Sequence, residues 1–140
     1  MSRYIVEKDF MVDEFRCVIV GQKIGHRCGY IAIPKGHKLY GKDYDEIDIS
    51  VHGGLTYAGY SEDEYPVKSE APVYWIGFDC AHYMDSRDLE LIKSFGEDDI
   101  DVKNMIDMEL KYPTGGEIRT VDYVENELIE AVSQLKKGDN

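Results

Sequence analysis

The chain has few of the residues that advertise a chemistry. Its three cysteines (Cys17, Cys28 and Cys80) form no CxxC pair, and an odd count excludes a closed disulfide framework. Buried free thiols in a reducing compartment are therefore expected. No apolar run approaches the ~20 residues of a membrane span. The opening MSRYIVEKDF lacks the apolar core of a secretory signal, so a cytoplasmic protein is expected. Neither GxxxxGK[ST] nor GxGxxG occurs, which sets aside P-loop ATPase and dinucleotide-oxidoreductase readings. No glycine elbow surrounds a serine. No cofactor is implied.

Positive charge is scarce as well. The formal net charge is −12 over 140 residues, so the chain repels a duplex phosphate backbone and general nucleic-acid binding is excluded. The deficit is uneven. From Phe15 to Lys42 there is no acidic residue, while Arg16, Lys23, Arg27, Lys35, Lys38 and Lys42 give +6. Two readings stand side by side: a basic hairpin that complements an acidic body or acidic partner, and a local anion-binding patch.

The length fits one domain, residues 1–140, with a single core. Residues 1–14 fit a short edge strand or ordered coil. FRCVIVGQ (15–22) and CGYIAIP (28–34) are dense in strand formers and predict a hairpin whose turn presents Lys23, His26 and Arg27. PKGHKLYGKDYDE (34–46) predicts a long loop, with lysines and tyrosines interleaved as a nucleotide-binding loop would have them. IDISVH (47–52) alternates like a half-buried strand, with Gly53-Gly54 turning it into a paired LTYAGY. SEDEYPVKSEAP (61–72) reads as a surface excursion. VYWIGFDC (73–80) is the most apolar strand, with Trp75, Gly77 and Asp79 on one face and Tyr74, Ile76, Phe78 and Cys80 on the other.

Helical signals follow. Asp85 or Ser86 is placed to cap a helix ending at Gly96. Residues 98–111 put Val102, Met105, Ile106 and Leu110 on one stripe. Thr120 caps a last helix with Val121, Val124, Leu128, Ile129, Val132 and Leu135 inward, Lys136 and Lys137 in its final turn, and Gly138 after it. Strands first and helices last predict an α+β fold: a mainly antiparallel sheet in the N-terminal two-thirds, packed against two or three C-terminal helices.

The candidate site lies between Val51 and His82. His52 precedes two glycines, and Asp79 is a carboxylate in an apolar strand that needs a partner: His52, His82, Arg27, a metal or a ligand. A metal set of His52, Asp79, His82 and Asp85, with Cys80, is dense in donors but fits no zinc spacing. Cys80 with His82, and Ser50 with His52, share only the i, i+2 spacing of strand neighbours, and nothing near Cys80 lowers its pKa. Eight of the eleven tyrosines fall between Tyr30 and Tyr83, which suits an interface or a ligand pocket.

Taken together, GHRCGYIAIPKGHKLYG, VHGGLTY and WIGFDCAH resemble a family of small, mostly uncharacterised proteins encoded by phages and prophages of Gram-positive bacteria, over roughly residues 15–130. The resemblance implies an accessory protein in the cytosol of an infected cell, in a setting where small phage proteins antagonise host defence, some by sequestering nucleotide messengers. The leading expectation is a non-catalytic binder of a small anionic, nucleotide-like ligand, assembled as a homo-oligomer. Lys23, Arg27, Lys35, Lys38 and Lys42 would contact phosphate, Tyr40, Tyr57 or Trp75 would stack a base, and His52, Thr56, Asp79 and His82 would supply polar contacts. No catalytic residue and no metal is assigned. The competing expectations are a metal-assisted phosphodiesterase or nucleotide hydrolase using His52, Asp79 and His82, and an acidic protein that blocks a host factor through its surface.

Overall fold

A computed structural model describes residues 3–61, 64–69 and 71–137. Glu62, Asp63 and Glu70 of the acidic excursion, and the Gly138 expected after the last helix, lie outside them. Five strands form one antiparallel sheet: β1 Tyr4–Val12, β2 Phe15–Gln22, β3 Arg27–Ile33, β4 Tyr57–Tyr60 and β5 Tyr74–Asp79, in the order β1-β2-β3-β5-β4. Three helices follow: α1 Leu89–Lys93, α2 Ile100–Lys111 and α3 Val121–Lys137. Asp85–Ser86 (β6) and Glu117–Ile118 (β7) add a two-residue parallel pair that the sequence does not announce. The α+β expectation holds, with an antiparallel sheet packed against C-terminal helices.

The sheet's alternation assigns its faces as the sequence predicts. Cys17, Ile19, Ile31, Ile76 and Phe78 face α3, which buries Val124, Leu128, Ala131, Val132 and Leu135 against them. Each of the larger of these contributes ~1.5–3 kcal/mol by leaving water. Ile129, expected inward, is exposed, because it falls one step past the buried stripe. On the opposite face Val18, Val20, Cys28, Tyr30 and Trp75 form a second, smaller cluster. Tyr65 and Val67 of the excursion cover it, and the Tyr65 ring meets Tyr4 and Tyr30 edge-on. Gly77 stands opposite Tyr30 and Tyr57 in the sheet, and a Cβ there would run into the Tyr30 ring. The missing side chain is what lets those two rings meet at 5.5 Å across the strand.

Three expectations are corrected. Residues 47–52 are extended but belong to no strand, and β4 pairs with β5 instead. Ile47, Ile49 and Val51 do pack on the core, which explains the alternation. The backbone, however, is captured by side chains of α3. Gln134 accepts from Ser50 N–H at 2.6 Å and donates to Ser50 C=O at 2.8 Å, while Glu127 accepts from His52 N–H at 2.6 Å. Alternation reports that one side of an extended segment is buried, not what its backbone bonds to. The first helix is capped by Asp88 rather than Asp85 or Ser86, because Asp85 turns inward. On α2 Val102 is buried and Met105 and Ile106 are half-buried, so the expected stripe faces inward except at Leu110, which is exposed.

The β2–β3 turn does not present its cations to solvent. Arg27 is buried, donating from Nε and Nη2 to Glu7 at 2.8 and 3.1 Å, and from Nη1 to Asp88 at 2.8 Å and the Arg119 carbonyl at 3.2 Å. Lys23 is buried against Asp99 at 3.0 Å. Arg27→Ala would leave two shielded carboxylates without their cation. Urea unfolding at neutral pH is expected to show a loss of ~3–5 kcal/mol.

Candidate functional site

His52, Asp79 and His82 do meet, at the end of the sheet where β5 finishes. Three elements place them: the turn after residues 47–52, the chain leaving β5, and the start of α3. Gly54 N–H bonds to Val51 C=O, closing the turn around His52 and Gly53, and Gly53 has φ +70°. A Cβ on Gly53 would overlap the His82 imidazole, so VHGG and DCAH interlock through that glycine. α3 begins with Thr120 Oγ1 accepting from Tyr123 N–H, which sets Tyr123 beside His52.

The buried carboxylate here is Asp85, whose side chain is 1% exposed, and not Asp79. Asp85 accepts from Arg119 Nε at 2.8 Å, from His52 Nε2 at 2.8 Å and from His82 N–H at 3.0 Å. An ionised carboxylate only accepts, so His52 Nε2 donates to it; in the neutral imidazole Nδ1 then accepts from Tyr123 O–H at 2.7 Å. Arg119 also reaches Glu117 and lies 4.9 Å from the Tyr123 ring centre. Burial by itself would raise the Asp85 pKa, but Arg119, His52 and the His82 amide outweigh it and hold the carboxyl below its usual range. Asp79 is partly exposed, and accepts from Thr56 Oγ1 at 3.2 Å and Ala81 N–H at 3.2 Å, with His82 Nε2 3.2 Å away.

A carboxylate that orients an imidazole, which in turn accepts from a phenol, has the order of an acid–base relay. Burial and the nearby Glu127 raise the Tyr123 pKa, so the phenol keeps its proton at neutral pH. Cys80 is no nucleophile: burial pushes its thiol up to about 12, as it does for Cys17, and it raises Cys28 as well. Among the described residues no three His, Cys, Asp or Glu side chains are arranged to hold a metal ion.

The basic residues expected to join this corner are divided. Lys23 and Arg27 lie at the same end but are taken by carboxylates. Lys35, Lys38, Tyr40 and Lys42 lie beyond the other end of β3, about 20 Å away along the six residues of β5. Trp75 is fully buried and has no ring face open to a ligand, while Tyr57 is half-buried against Tyr30.

At that far end the 34–46 loop borders an open groove of about 270 Å³. Lys35, Tyr40, Tyr74, Val73 and Arg16 are among its walls. Tyr40, Tyr60 and Tyr74 form a ring cluster with centroids 5.0–5.8 Å apart, and Tyr74 O–H anchors the loop by donating to the Lys42 carbonyl. Arg16 is bidentate with Asp9, at 2.9 and 2.6 Å. Lys35 and Lys38 make no ion pair among the described residues. Arg119, Tyr123, Tyr60 and Tyr74 were not assigned roles from the sequence. Asp85 was considered there as a helix cap and as a metal donor, not as the buried carboxylate that accepts from His52 and Arg119.

No protein family, no curated protein and no solved structure matches the chain.

Two outcomes test this geometry. A carboxyl held below its unfolded pKa contributes stability that is complete above about pH 4 and is lost as the pH falls through the lower folded value. Asp85→Asn is therefore expected to cost about 3 kcal/mol at pH 7 and to flatten the acid side of the stability curve. Urea unfolding at several pH values reads both. Ellman's reagent should leave all three thiols unmodified in the native protein and titrate three once it is unfolded.

Proposed function

We propose that the protein binds and sequesters a small anionic, nucleotide-like ligand without turning it over, in the groove under the 34–46 loop. One observation carries this reading: the cavity has an ammonium group, Lys35, beside two tyrosine rings, and that cation is not taken by a carboxylate among the described residues. Lys35 meets phosphate, with Lys38 and Lys42 on the same loop, and Tyr40 offers a ring to a base. Roughly 270 Å³ falls just below the range for ligand pockets, about 300–1,000 Å³. It suits one base or one phosphoribosyl unit. A larger ligand would extend over the exposed Lys38, or onto a second subunit of a homo-oligomer. Such a sponge fits a phage-type accessory protein countering nucleotide signals in the bacterial cytosol.

A hydrolase centred on His52, Asp79 and His82 is the second reading, favoured by the Asp85–His52–Tyr123 relay. Incubation with a panel of cyclic and ADP-ribose-type nucleotides, followed by filtration, denaturation and chromatography, separates the two. The binding reading expects one nucleotide retained and released intact, with retention falling about tenfold or more in Lys35→Glu and Tyr40→Ala. Products that disappear in His52→Ala would support the hydrolase. If every nucleotide stays unchanged in the filtrate, the binding reading is lost for that panel.

A further inference from the structure

The segment between β5 and α3 leaves apolar surface uncovered. Leu110 on α2 is 66% exposed and Ile118 on β7 47%, and Met84 and Tyr112 are exposed as well. Met84 is held beside β7 by its carbonyl, which accepts from Glu117 N–H. Leu110 and Ile118, with Leu89 and Pro113, line a cavity of about 450 Å³ with mostly apolar walls, inside the range of ligand and side-chain pockets. A cluster of this kind marks an interaction site more often than an accident of folding.

Charge decides what the occupant can be. Residues 81–118 hold ten acidic and four basic side chains, a net of −6, which is half the chain's total. Among the described residues that line the cavity Arg87 is the one cation, against Asp88, Glu90 and Glu109. Asp88 is already held by Arg27, and Glu109 accepts from Thr114 through both N–H and Oγ1. Glu90 stands at the rim, its side chain 85% exposed and 3.6 Å from Lys93 Nζ, which leaves Glu109 as the lining carboxylate with no cation partner among the described residues. A second copy of the chain would bring another −12 to this surface, and an anionic ligand would meet the same repulsion. A partner that carries apolar side chains flanked by lysine or arginine satisfies both the groove and its field. The commonest element of that form is an amphipathic helix.

We propose that this groove docks a basic amphipathic helix of a partner protein, with its apolar side chains between Leu110 and Ile118 and its cations facing Glu109 and Glu90. The site is separate from the tyrosine-lined groove and does not depend on it.

Fluorescence anisotropy of the full-length protein with a labelled helical peptide of leucine and lysine tests this. Saturable binding is expected, weakened about tenfold or more by the double variant Leu110→Gln, Ile118→Gln, unchanged by Tyr40→Ala, and absent for the same peptide with glutamate in place of lysine. Both substituted residues are exposed, and circular dichroism confirms that the variant is folded. No saturable binding overturns the proposal. Binding that survives the double variant overturns it too, since it would be attraction to the acidic surface at large. Sedimentation showing a dimer that the double variant dissociates would give the groove to a second copy instead.

Discussion

Arg27 is the constraint on which the rest of this fold depends. Its guanidinium is buried where four pieces of chain converge: Glu7 of the edge strand, β3 itself, Asp88 at the cap of α1, and the Arg119 carbonyl ahead of α3. An apolar contact there would be indifferent to orientation. Four directed hydrogen bonds from a rigid fork are not. They fix where α1 starts, and through Arg119 they fix where the Asp85 carboxylate finds its second partner. The polar corner is thus built on the ion pair next to it.

The same network answers what the stretch without acids is for, at least in part. Of its six cations, Lys23 and Arg27 complement carboxylates buried with them, and Arg16 pairs with Asp9 on the neighbouring strand. Lys42 stands near Glu46 one turn along its loop. Among the described residues, what is left over is Lys35 and Lys38. The sheet therefore has a neutralised end, where charges hold segments together, and an end where positive charge and aromatic rings stay open. A histidine-rich corner draws the eye in a sequence, but here its donors and acceptors are largely used up on one another.

Strands and faces were readable because side-chain period is local: Phe15, Cys17 and Ile19 separate from Val18 and Val20 without knowledge of any partner. The cap at Thr120 was readable for the same reason. Partnership across distance was not. Nothing in IDISVH distinguishes a strand from an extended segment held by Gln134 and Glu127, some eighty residues on. Nothing near Asp79 and Asp85 says which of two carboxylates will be enclosed, since that follows from where Arg119 and His52 arrive. The stripe of α2 was legible as apolar, yet it faces outward at Leu110, and pattern has no sign for inside and outside.

The capture of residues 47–52 by α3 has a bearing on synthesis. The β1–β2 and β2–β3 hairpins close from neighbouring sequence as soon as they emerge. Ser50 and His52 wait for side chains near the end of the chain. While a ribosome still holds the final helix, the segment that carries VHGG has an apolar side with no cover and amides bonded only to water. For that interval its safety rests on Asp48 between its apolar residues and on Asp45 and Glu46 just before them, charges that discourage pairing with another nascent chain.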